Sequence, residues 1–350
     1  MAYRTPAHRT DAVAEVLDAL RASRRAVLTT HLNADGDGAG SEVALAAWLR
    51  AHGNPATIVN PTPFPEMYRF LLPADGEDWV LPAGSADAQT ACDRADLAVV
   101  LDTGEVHRIG RVKPMIEELK TVVFDHHPPG DQPIGGISFR DPAACATGEL
   151  VFDLVLAADG PWPPAVLDGT YVAVMTDTGS FRFSNSTPAC HRIVAELIER
   201  GSDPEGLYRE VYGASPLRRL LLLRAALETL EVDPESGVAW MTVPEDAFRS
   251  LKASPDDLEG LIDYPRSIEG TEVGLLFRRT SNGTKVSFRA NGPVDVNVLA
   301  RQFGGGGHVR ASGALVDRPL EQVVPEVVEA TRQAVRAAQR GNSAGGGDVE

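Results

Sequence analysis

The most informative segment of the chain is residues 26–53, AVLTTHLNADGDGAGSEVALAAWLRAHG. Its apolar start, 26–30, has the composition of a buried strand, and the loop 32–40 that follows is rich in glycine and aspartate. The run SEVALAAWLRAHG has the pattern of a helix that ends at Gly53. This order predicts one β-loop-α unit, with His31 at the end of the strand.

Other short apolar runs repeat this pattern along the chain. Residues 58–60, 98–101 and 121–124 read as strands, and Asp102 and Asp125 directly follow the last two. In open parallel sheets, ligands collect beyond the carboxyl ends of the strands. The sequence therefore predicts an α/β domain, with a mostly parallel sheet, flanking helices and an acidic site at one sheet edge.

The length of 350 residues favours two domains rather than one. Beyond Gly237 the pattern changes to the short strands AWMTV, EVGLLFRR and KVSFRA, which is typical of an α+β domain. Helices are predicted at 11–22, 143–158, 165–176, 190–200 and 205–232. The predicted organisation is an N-terminal domain at 11–189, a helical linker at 190–233, a smaller α+β domain at 234–340 and a disordered tail at 341–350.

Composition limits the class of protein. The sequence shows neither a signal peptide nor a long apolar run, so a soluble, cytoplasmic protein without a membrane partner is expected. The formal net charge of −16 argues against a protein that coats long nucleic acids or duplexes, since such binding needs clustered lysine and arginine. Cys92, Cys145 and Cys190 form no Cys-x-x-Cys pair, and we interpret them as small buried residues.

The loop after the first strand brings His31, Asp35 and Asp37 close together in sequence. Carboxylates this close repel each other unless a cation neutralises them. Imidazole and oxygen ligands suit Mn²⁺, Mg²⁺ or Fe²⁺, whereas structural zinc sites usually contain thiolates. An ordinary Asp-Gly turn explains the loop equally well when it is considered alone.

Three further motifs each have a simple structural explanation. Asp102 in LDTG follows a strand, Asp177 in TDTGSF ends a predicted helix, and either could be a turn residue. In DHHP, the adjacent His126 and His127 could cap a strand, or they could point in different directions and serve a metal and a substrate separately. One shared site explains all of these motifs better than separate structural roles.

The last motif is FGGGGHVRASG, residues 303–313. Its four glycines could form a flexible loop. They would also let backbone N–H groups approach a phosphate before a helix-like segment, with His308 and Arg310 adding positive charge. The sequence alone leaves both explanations open.

The motifs HLNADGDGAGSE, LDTG, DHH and TDTGSF resemble those of the DHH phosphoesterase superfamily in their order, and the resemblance covers nearly the whole chain. It implies two bound Mn²⁺ ions, with Mg²⁺ or another divalent ion as the alternative. One ion would be held by His31, Asp35, Asp102 and Asp177, and the other by Asp37, Asp102, His126 and Asp177. Asp102 and Asp177 would then bridge two ions roughly 3.5–4 Å apart that activate a water for attack on phosphorus.

The resemblance also assigns residues outside the metal ligands. His127 is similar to a histidine that contacts the scissile phosphate or leaving group, and Asp125 is expected to orient a ligand histidine. The C-terminal segment resembles the type 1 accessory domain, DHHA1, which holds the nucleotide end of the substrate against the metal site. Substrate contacts are implied for Arg289, Gly304, Gly305, Gly306, Gly307, His308 and Arg310, and with lower priority for Arg266, which a solvated surface position explains nearly as well.

Within the superfamily, this accessory domain and a length of 350 residues favour the nano-RNase and pAp-phosphatase group. The implied substrates are short single-stranded RNA, linear dinucleotides such as pApA or pGpG, and 3′-phosphoadenosine 5′-phosphate (pAp). Hydrolysis of another phosphoester, such as a cyclic dinucleotide or polyphosphate, is one alternative, and a catalytically silent nucleotide sensor is another. The resemblance also makes a homodimer an expectation.

Overall fold

The computed structural model describes residues 3–74, 76–213 and 215–344. The chain forms two compact units, Met1–Ala214 and Ser215–Glu350. Among the described residues, no helix is both long and apolar enough to span a membrane. Cys92, Cys145 and Cys190 are buried free thiols, which confirms their interpretation as small buried residues.

The first unit contains a six-stranded sheet in which every pair of neighbouring strands is parallel. Its strands are β1 (Ala26–Thr29), β2 (Ala56–Asn60), β3 (Val80–Pro82), β4 (Leu97–Leu101), β5 (Lys120–Asp125) and β6 (Ile137–Arg140), in the order β3-β2-β1-β4-β5-β6. The order reverses between β1 and β4, which is where open α/β sheets bind ligands. The predicted parallel α/β architecture is confirmed.

Helices cover both faces of this sheet, because successive strand residues point to opposite sides. Val27 belongs to a core shared with α3 and α4, whereas Leu28 belongs to a larger core shared with α2, α5 and α6. The helices are α1 (Thr10–Ala22), α2 (Gly36–Ala51), α3 (Ala86–Arg94), α4 (Lys113–Ile116), α5 (Thr147–Ala157), α6 (Pro164–Asp177), α7 (Pro188–Arg200) and α8 (Pro204–Tyr208). Short segments of 3₁₀ or π helix span Ala7–Arg9, Glu66–Leu71, Gly76–Trp79, Val106–Val112 and Arg209–Gly213.

Helix α2 begins earlier than the sequence predicted. The stretch 32–40 was predicted as a loop, but the helix already starts at Gly36. The carboxylate of Asp35 caps it by accepting hydrogen bonds from the backbone N–H groups of Asp37 and Gly38, both at 3.1 Å. Asp37 therefore lies on the first helical turn rather than in a loop.

Tertiary packing explains why glycines, which are poor helix formers, occupy this start. A side chain at Gly36 would overlap Thr176 of α6. The carbonyl oxygen of Gly169 occupies the place of a side chain at Gly40, and the carbonyl oxygen of Gly40 occupies that place at Gly169. Close approach of α2 and α6 thus requires glycine and overrides local propensity.

The second unit contains a mixed six-stranded sheet in the order β11-β12-β10-β9-β8-β7, in which only β8 and β9 are parallel. The strands are β7 (Glu231–Asp233), β8 (Val238–Val243), β9 (Val273–Thr280), β10 (Gly283–Ala290), β11 (Gly306–Gly307) and β12 (Ala311–Val316). The helices are α9 (Leu217–Leu227), α10 (Glu245–Ser250), α11 (Asp263–Arg266), α12 (Val296–Arg301) and α13 (Leu320–Ala344), with a 3₁₀ turn at Pro255–Leu258. The mixed sheet and its helices confirm the prediction that the C-terminal region has a smaller α+β fold.

Three local predictions differ from the structure. The prediction of a single helix at 205–232 is wrong. Pro216 directly precedes α9, and a helix cannot continue through a proline without losing a hydrogen bond, while strand β7 follows α9. The segment after the glycine run is strand β12 rather than a helix-like segment. Helix α13 continues to Ala344, and the remainder of the predicted tail, 345–350, lies outside the described residues. The boundary between the two units, after Ala214, lies within the predicted linker at 190–233, with α7 and α8 before it and α9 after it.

Candidate metal centre

Polar side chains converge at the carboxyl edge of the first sheet. His31 lies two residues beyond β1, Asp102 directly follows β4, and His126 directly follows β5. Asp177 is the last residue of α6, as the sequence predicted. Asp102 has a φ of 60°, a left-handed conformation that aspartate and asparagine adopt more often than most residues.

The first group of possible ligands is His31, Asp35 and Asp102, whose ligand atoms all lie within 4.8 Å of one another. Nε2 of His31 is 3.1 Å from Oδ2 of Asp102 and 3.8 Å from Oδ2 of Asp35. Nδ1 of His31 is 2.9 Å from the carbonyl oxygen of Leu32, so this nitrogen donates its proton there. The network therefore leaves Nε2 to face the carboxylates.

The second group, Asp37, Asp102 and His126, is equally compact. Nε2 of His126 is 3.5 Å from Oδ2 of Asp37, 3.5 Å from Oδ1 of Asp102 and 3.7 Å from Oδ2 of Asp177. Nδ1 of His126 is 3.3 Å from the carbonyl oxygen of Ala144. The two oxygens of Asp102 thus face different histidines, and this geometry agrees with the bridging role that the resemblance implies for Asp102.

Backbone and hydroxyl groups fix the carboxylate of Asp37. Its oxygens accept hydrogen bonds from N–H of Thr147 at 2.6 Å, from N–H of Gly148 at 2.9 Å and from the hydroxyl of Ser41 at 3.1 Å. The N–H groups of Thr147 and Gly148 belong to the start of α5, where backbone donors lack helical partners. The sequence reasoning identified none of these supports, because the start of α5 was predicted inside a longer helix.

The bridging candidates Asp102 and Asp177 have supports of their own. The hydroxyl of Thr147 donates to Oδ1 of Asp102 at 3.1 Å. The side-chain amide of Asn185 donates to Oδ2 and the backbone oxygen of Asp177, both at 3.1 Å, and to the backbone oxygen of Cys145 at 2.9 Å. Asn185 therefore joins the end of α6 to the loop before α5, a role that no sequence pattern indicated.

Crowded carboxylates shift the pKa values of their neighbours in this cluster upward. Burial and the neighbouring carboxylate of Asp102 raise the pKa of Asp37 well above its ordinary value. Burial lowers the pKa of His126, but Asp177, Asp37 and Asp102 outweigh it and raise that pKa to about 9. A divalent cation would relieve this repulsion. Carboxylate oxygens and imidazole nitrogens without a thiolate suit Mn²⁺ or Mg²⁺, so the residues present fit such ions.

Asp125 contacts His127, and the role of orienting a ligand histidine, which the resemblance suggested for it, stays a prediction. Its Oδ1 accepts hydrogen bonds from the backbone N–H of His127 at 3.0 Å and from Nδ1 at 2.9 Å. Its Oδ2 is paired with the guanidinium of Arg140 at 3.1 Å. The guanidinium lies where a side chain at position 104 would be, so Gly104 makes room for it. Asp125 and Arg140 together fix the ring of His127.

A buried arginine near the N-terminus holds the segment that leads into α5. Nε of Arg9 is 2.5 Å from Oδ2 of Asp141, and Nη1 is 2.6 Å from Oε1 of Glu149 and 2.8 Å from Oδ2 of Asp153. The hydroxyl of Tyr3 also donates to Asp153, at 2.9 Å. Arg9 therefore contacts both ends of the segment that supports Asp37, Asp102 and His126.

The predicted substrate residues of the second unit lie at one end of its sheet. Arg289 on β10 pairs in register with Gly274 of β9 on one side and with Ala311 of β12 on the other. The backbone N–H of Ala290 donates to the backbone oxygen of Arg310 at 3.0 Å, which brings Arg310 beside the end of β10.

The glycine run and Arg266 lie close to this strand end. His308 bonds Ala311 through both its backbone N–H and its carbonyl oxygen, in the tight turn between β11 and β12. Gly304 follows α12, Gly305 packs against β12, and Gly306 and Gly307 form β11. The backbone of Arg266 lies directly over Gly274. The roles of these residues stay predictions.

Glu42 is a fully buried acid in α2 that the sequence reasoning did not select. Its Oε2 accepts a hydrogen bond from the side-chain amide of Asn60 at 2.8 Å, and Oδ1 of Asn60 accepts one from N–H of Thr30 at 3.2 Å. Burial raises the pKa of Glu42 from 4.5 to about 8. Glu42 is therefore protonated in the metal-free folded chain at neutral pH.

Glu42→Gln is expected to stabilise the metal-free protein increasingly as the pH rises from about 5 to 8. The unfolded state loses the proton of Glu42 from about pH 5, whereas the folded state keeps most of it until the pH approaches 8. The contribution of Glu42 to wild-type stability therefore falls by up to about 1.4 kcal/mol per pH unit. Glutamine does not titrate and keeps an oxygen for Asn60. Urea unfolding of both proteins at several pH values measures the difference.

The matched control is Glu15→Gln on the exposed face of α1, which should unfold like the wild type at every pH. An equal effect of Glu42→Gln at pH 5 and pH 8 would contradict the prediction, because only a titrating group makes the difference depend on pH.

Known protein families and one curated relative match both parts of the chain. Residues 25–174 match the DHH family, N-terminal domain, and residues 238–337 match the DHHA1 domain. The bifunctional oligoribonuclease and PAP phosphatase NrnA of Thermus thermophilus is 34% identical over 334 residues, which cover 93% of this chain and 94% of that protein.

Two solved structures share the fold. An exopolyphosphatase-related protein from Bacteroides fragilis has a TM-score of 0.83 at 24% identity and covers 94% of this chain and 98% of its own. RecJ from Thermus thermophilus in complex with Mn²⁺ has a TM-score of 0.50 at 16% identity, covering 96% of this chain and 56% of its own. Given the two domain matches and the identity to the Thermus relative over nearly both full lengths, this chain belongs to the DHH phosphoesterase family.

Proposed function

We propose that this chain hydrolyses very short oligoribonucleotides and linear dinucleotides to mononucleotides, and pAp to AMP and phosphate, with the help of two divalent ions. The observation that carries the proposal is that two sets of possible metal ligands share Asp102 at the carboxyl edge of the sheet. One set is His31, Asp35 and Asp102, and the other is Asp37, Asp102 and His126. The relative from Thermus thermophilus, whose name includes both activities, supports this choice of substrates.

The ligands proposed for the two ions are those implied by the resemblance: His31, Asp35, Asp37, Asp102, His126 and Asp177. Mn²⁺ suits their mixture of imidazole and carboxylate, and Mg²⁺ is the alternative. Two such ions would supply Lewis acidity that activates water and stabilises charge at phosphorus. Both ligand histidines keep their Nδ1 protons on backbone carbonyl oxygens, which orients each Nε2 towards the carboxylates.

The remaining residues position the substrate. His127 keeps its Nδ1 proton on Asp125, so Nε2 is the ring atom that we assign to the scissile phosphate or leaving group. In the second unit, we assign the nucleotide end to Arg289, His308, Arg310 and the glycines 304–307, with Arg266 beside them. A substrate with few phosphates needs only a few such contacts, which agrees with the net charge of −16.

The test is a panel of labelled substrates, namely an RNA dinucleotide, pAp and a longer oligoribonucleotide, each with Mn²⁺, with Mg²⁺ and with EDTA. We expect rapid release of mononucleotides from the dinucleotide and of phosphate from pAp, slow attack on the longer RNA and no turnover in EDTA. Cyclic dinucleotide and polyphosphate serve as competing substrates.

The outcomes separate the alternatives. Faster turnover of cyclic dinucleotide or polyphosphate would move the assignment to another phosphoester. Tight nucleotide binding without turnover, with either metal present, would identify a nucleotide sensor and refute the enzymatic proposal. Turnover that persists in excess EDTA would contradict the metal-dependent mechanism.

A further inference from the structure

Arg108 lies in the turn Val106–Val112 after β4, and no motif of the sequence pointed to it. Nη1 of Arg108 is 3.4 Å from Nε2 of His127. Guanidinium groups only donate hydrogen bonds, so the ring nitrogen must accept. This assignment agrees with the Nδ1 proton of His127, which is held on Asp125 at 2.9 Å. Arg108 thus donates a hydrogen bond to Nε2 of His127, the same ring nitrogen that the proposed function assigns to the substrate.

The backbone of Arg108 is fixed next to the metal centre. Its carbonyl oxygen accepts a hydrogen bond from N–H of Leu32 at 2.8 Å, directly after His31. Its own N–H donates to the carbonyl oxygen of Glu105 at 3.1 Å. Burial raises the pKa of Asp35, the hydrogen bond and charge of His31 lower it most, and the positive charge of Arg108 makes a smaller contribution in the same direction. The backbone that carries the guanidinium is therefore attached beside the cluster, while the side chain itself contacts His127.

The charge balance of the metal centre indicates that the guanidinium of Arg108 could serve an incoming phosphate. Two divalent ions would neutralise the four aspartates assigned to them, and Asp125 is already paired with Arg140. An incoming phosphate dianion would add negative charge to a centre that is then close to neutral. Arg108 supplies a positive charge at the place where His127 would meet that phosphate.

The present partner of Arg108 is easily replaced. At 3.4 Å its hydrogen bond to His127 is longer than the usual 2.7–3.2 Å, and the acceptor is a neutral nitrogen. Phosphate oxygens are charged acceptors that match the fork of a guanidinium with two parallel bonds. An arriving phosphate would therefore draw Arg108 away from Nε2 and leave that nitrogen available to the substrate.

We propose that Arg108 is a substrate-binding residue of this site, an inference that rests on the proposed function. Arg108 gives up its hydrogen bond to His127 and binds the nonbridging oxygens of the scissile phosphate instead. No covalent step is assigned to it. Its contribution is binding of the phosphate in the substrate and in the product, which is inorganic phosphate when pAp is hydrolysed and a mononucleotide when a dinucleotide is.

The test compares Arg108→Met and Arg108→Lys with the matched control Arg111→Met. Arg111 lies on the same turn, but its guanidinium reaches the carbonyl oxygen of Ala83. Calorimetry measures binding of Mn²⁺ and then of inorganic phosphate to each metal-loaded protein, and steady-state kinetics give kcat and KM for pAp.

For Arg108→Met, we expect phosphate affinity to fall and KM for pAp to rise by about 10- to 100-fold, with Mn²⁺ affinity unchanged. Arg108→Lys should recover part of this loss, because lysine keeps the charge without the fork. Arg111→Met should behave like the wild type. Unchanged phosphate binding in Arg108→Met, a loss that accompanies equal loss of Mn²⁺, or no phosphate binding by the wild type would overturn the proposal.

Phosphate binding does not depend on which nucleotide is hydrolysed, so the two proposals can fail separately. A wild type that binds phosphate through Arg108 but hydrolyses none of the proposed nucleotides would refute the proposed function and support the role of Arg108.

Discussion

Asp102→Asn is expected to lower hydrolysis of pAp or an RNA dinucleotide by at least about 1,000-fold. Bridged metal ions stabilise the transition state by several kcal/mol, and each 1.4 kcal/mol, roughly, corresponds to a factor of ten. In this variant the set of ligands around His31 and the set around His126 both lose the carboxylate that they share, because one oxygen of Asp102 faces His31 and the other faces His126. Kinetics at saturating Mn²⁺ and calorimetric titration of the metal measure the loss.

Asparagine is chosen because it keeps the local structure. Position 102 has a φ of 60°, and asparagine adopts this left-handed conformation more readily than most residues. Its amide oxygen can still accept the hydrogen bond from Thr147. The control is Asp96→Asn at the other end of β4, where the carboxylate bonds Ser23. Activity of Asp102→Asn within tenfold of the wild type would show that Asp102 does not bridge the ions.

Arg9→Met is expected to cost about 3–5 kcal/mol of unfolding free energy, a large part of the stability of an ordinary domain. The substitution leaves the carboxylates of Asp141, Glu149 and Asp153 without the guanidinium that they share. Buried charges that lose their partner are far more costly than exposed ones, and only 3% of the Arg9 side chain is exposed. Urea unfolding of the metal-free protein measures the change.

Two further variants distinguish loss of the buried charge from a general effect of substitution. Arg9→Lys should be intermediate, because an ammonium group cannot reproduce the arrangement of a planar guanidinium among three carboxylates. Arg25→Met, at an exposed position before β1, should stay within about 0.5 kcal/mol of the wild type. If the unfolding free energy of Arg9→Met is also within about 1 kcal/mol of the wild-type value, other groups balance the charge of the three carboxylates, which contradicts the prediction.

The fold and the cluster at the sheet edge could be predicted from local sequence. Apolar runs marked the strands, and residues directly after such runs had to lie at the carboxyl edge of a parallel sheet. Asp102 and His126 were found in this way, and Asp177 was found from the end of a helix. Local patterns were sufficient to place these residues, because strand ends fix the positions of their neighbouring residues, whereas their roles as metal ligands were implied only by the family resemblance.

Residues whose partners are distant in sequence could not be predicted. Arg9 pairs with carboxylates more than 130 residues away, and nothing around it indicates burial. Arg140 reaches Asp125 across Gly104, a relationship that only the folded sheet reveals. The start of α2 was missed for the same reason, because helix propensity argues against glycine at Gly36 and only α6 explains it.

The mutual contact of Gly40 and Gly169 also limits how this enzyme can be redesigned. Either glycine could accept a side chain only if α2 and α6 moved apart, since each carbonyl oxygen occupies the other's side-chain space. Asp37 and Asp177 lie on these two helices and would separate with them. A library that seeks a different metal preference should therefore keep both glycines fixed and vary the polar groups that orient the ligands, such as Asn185.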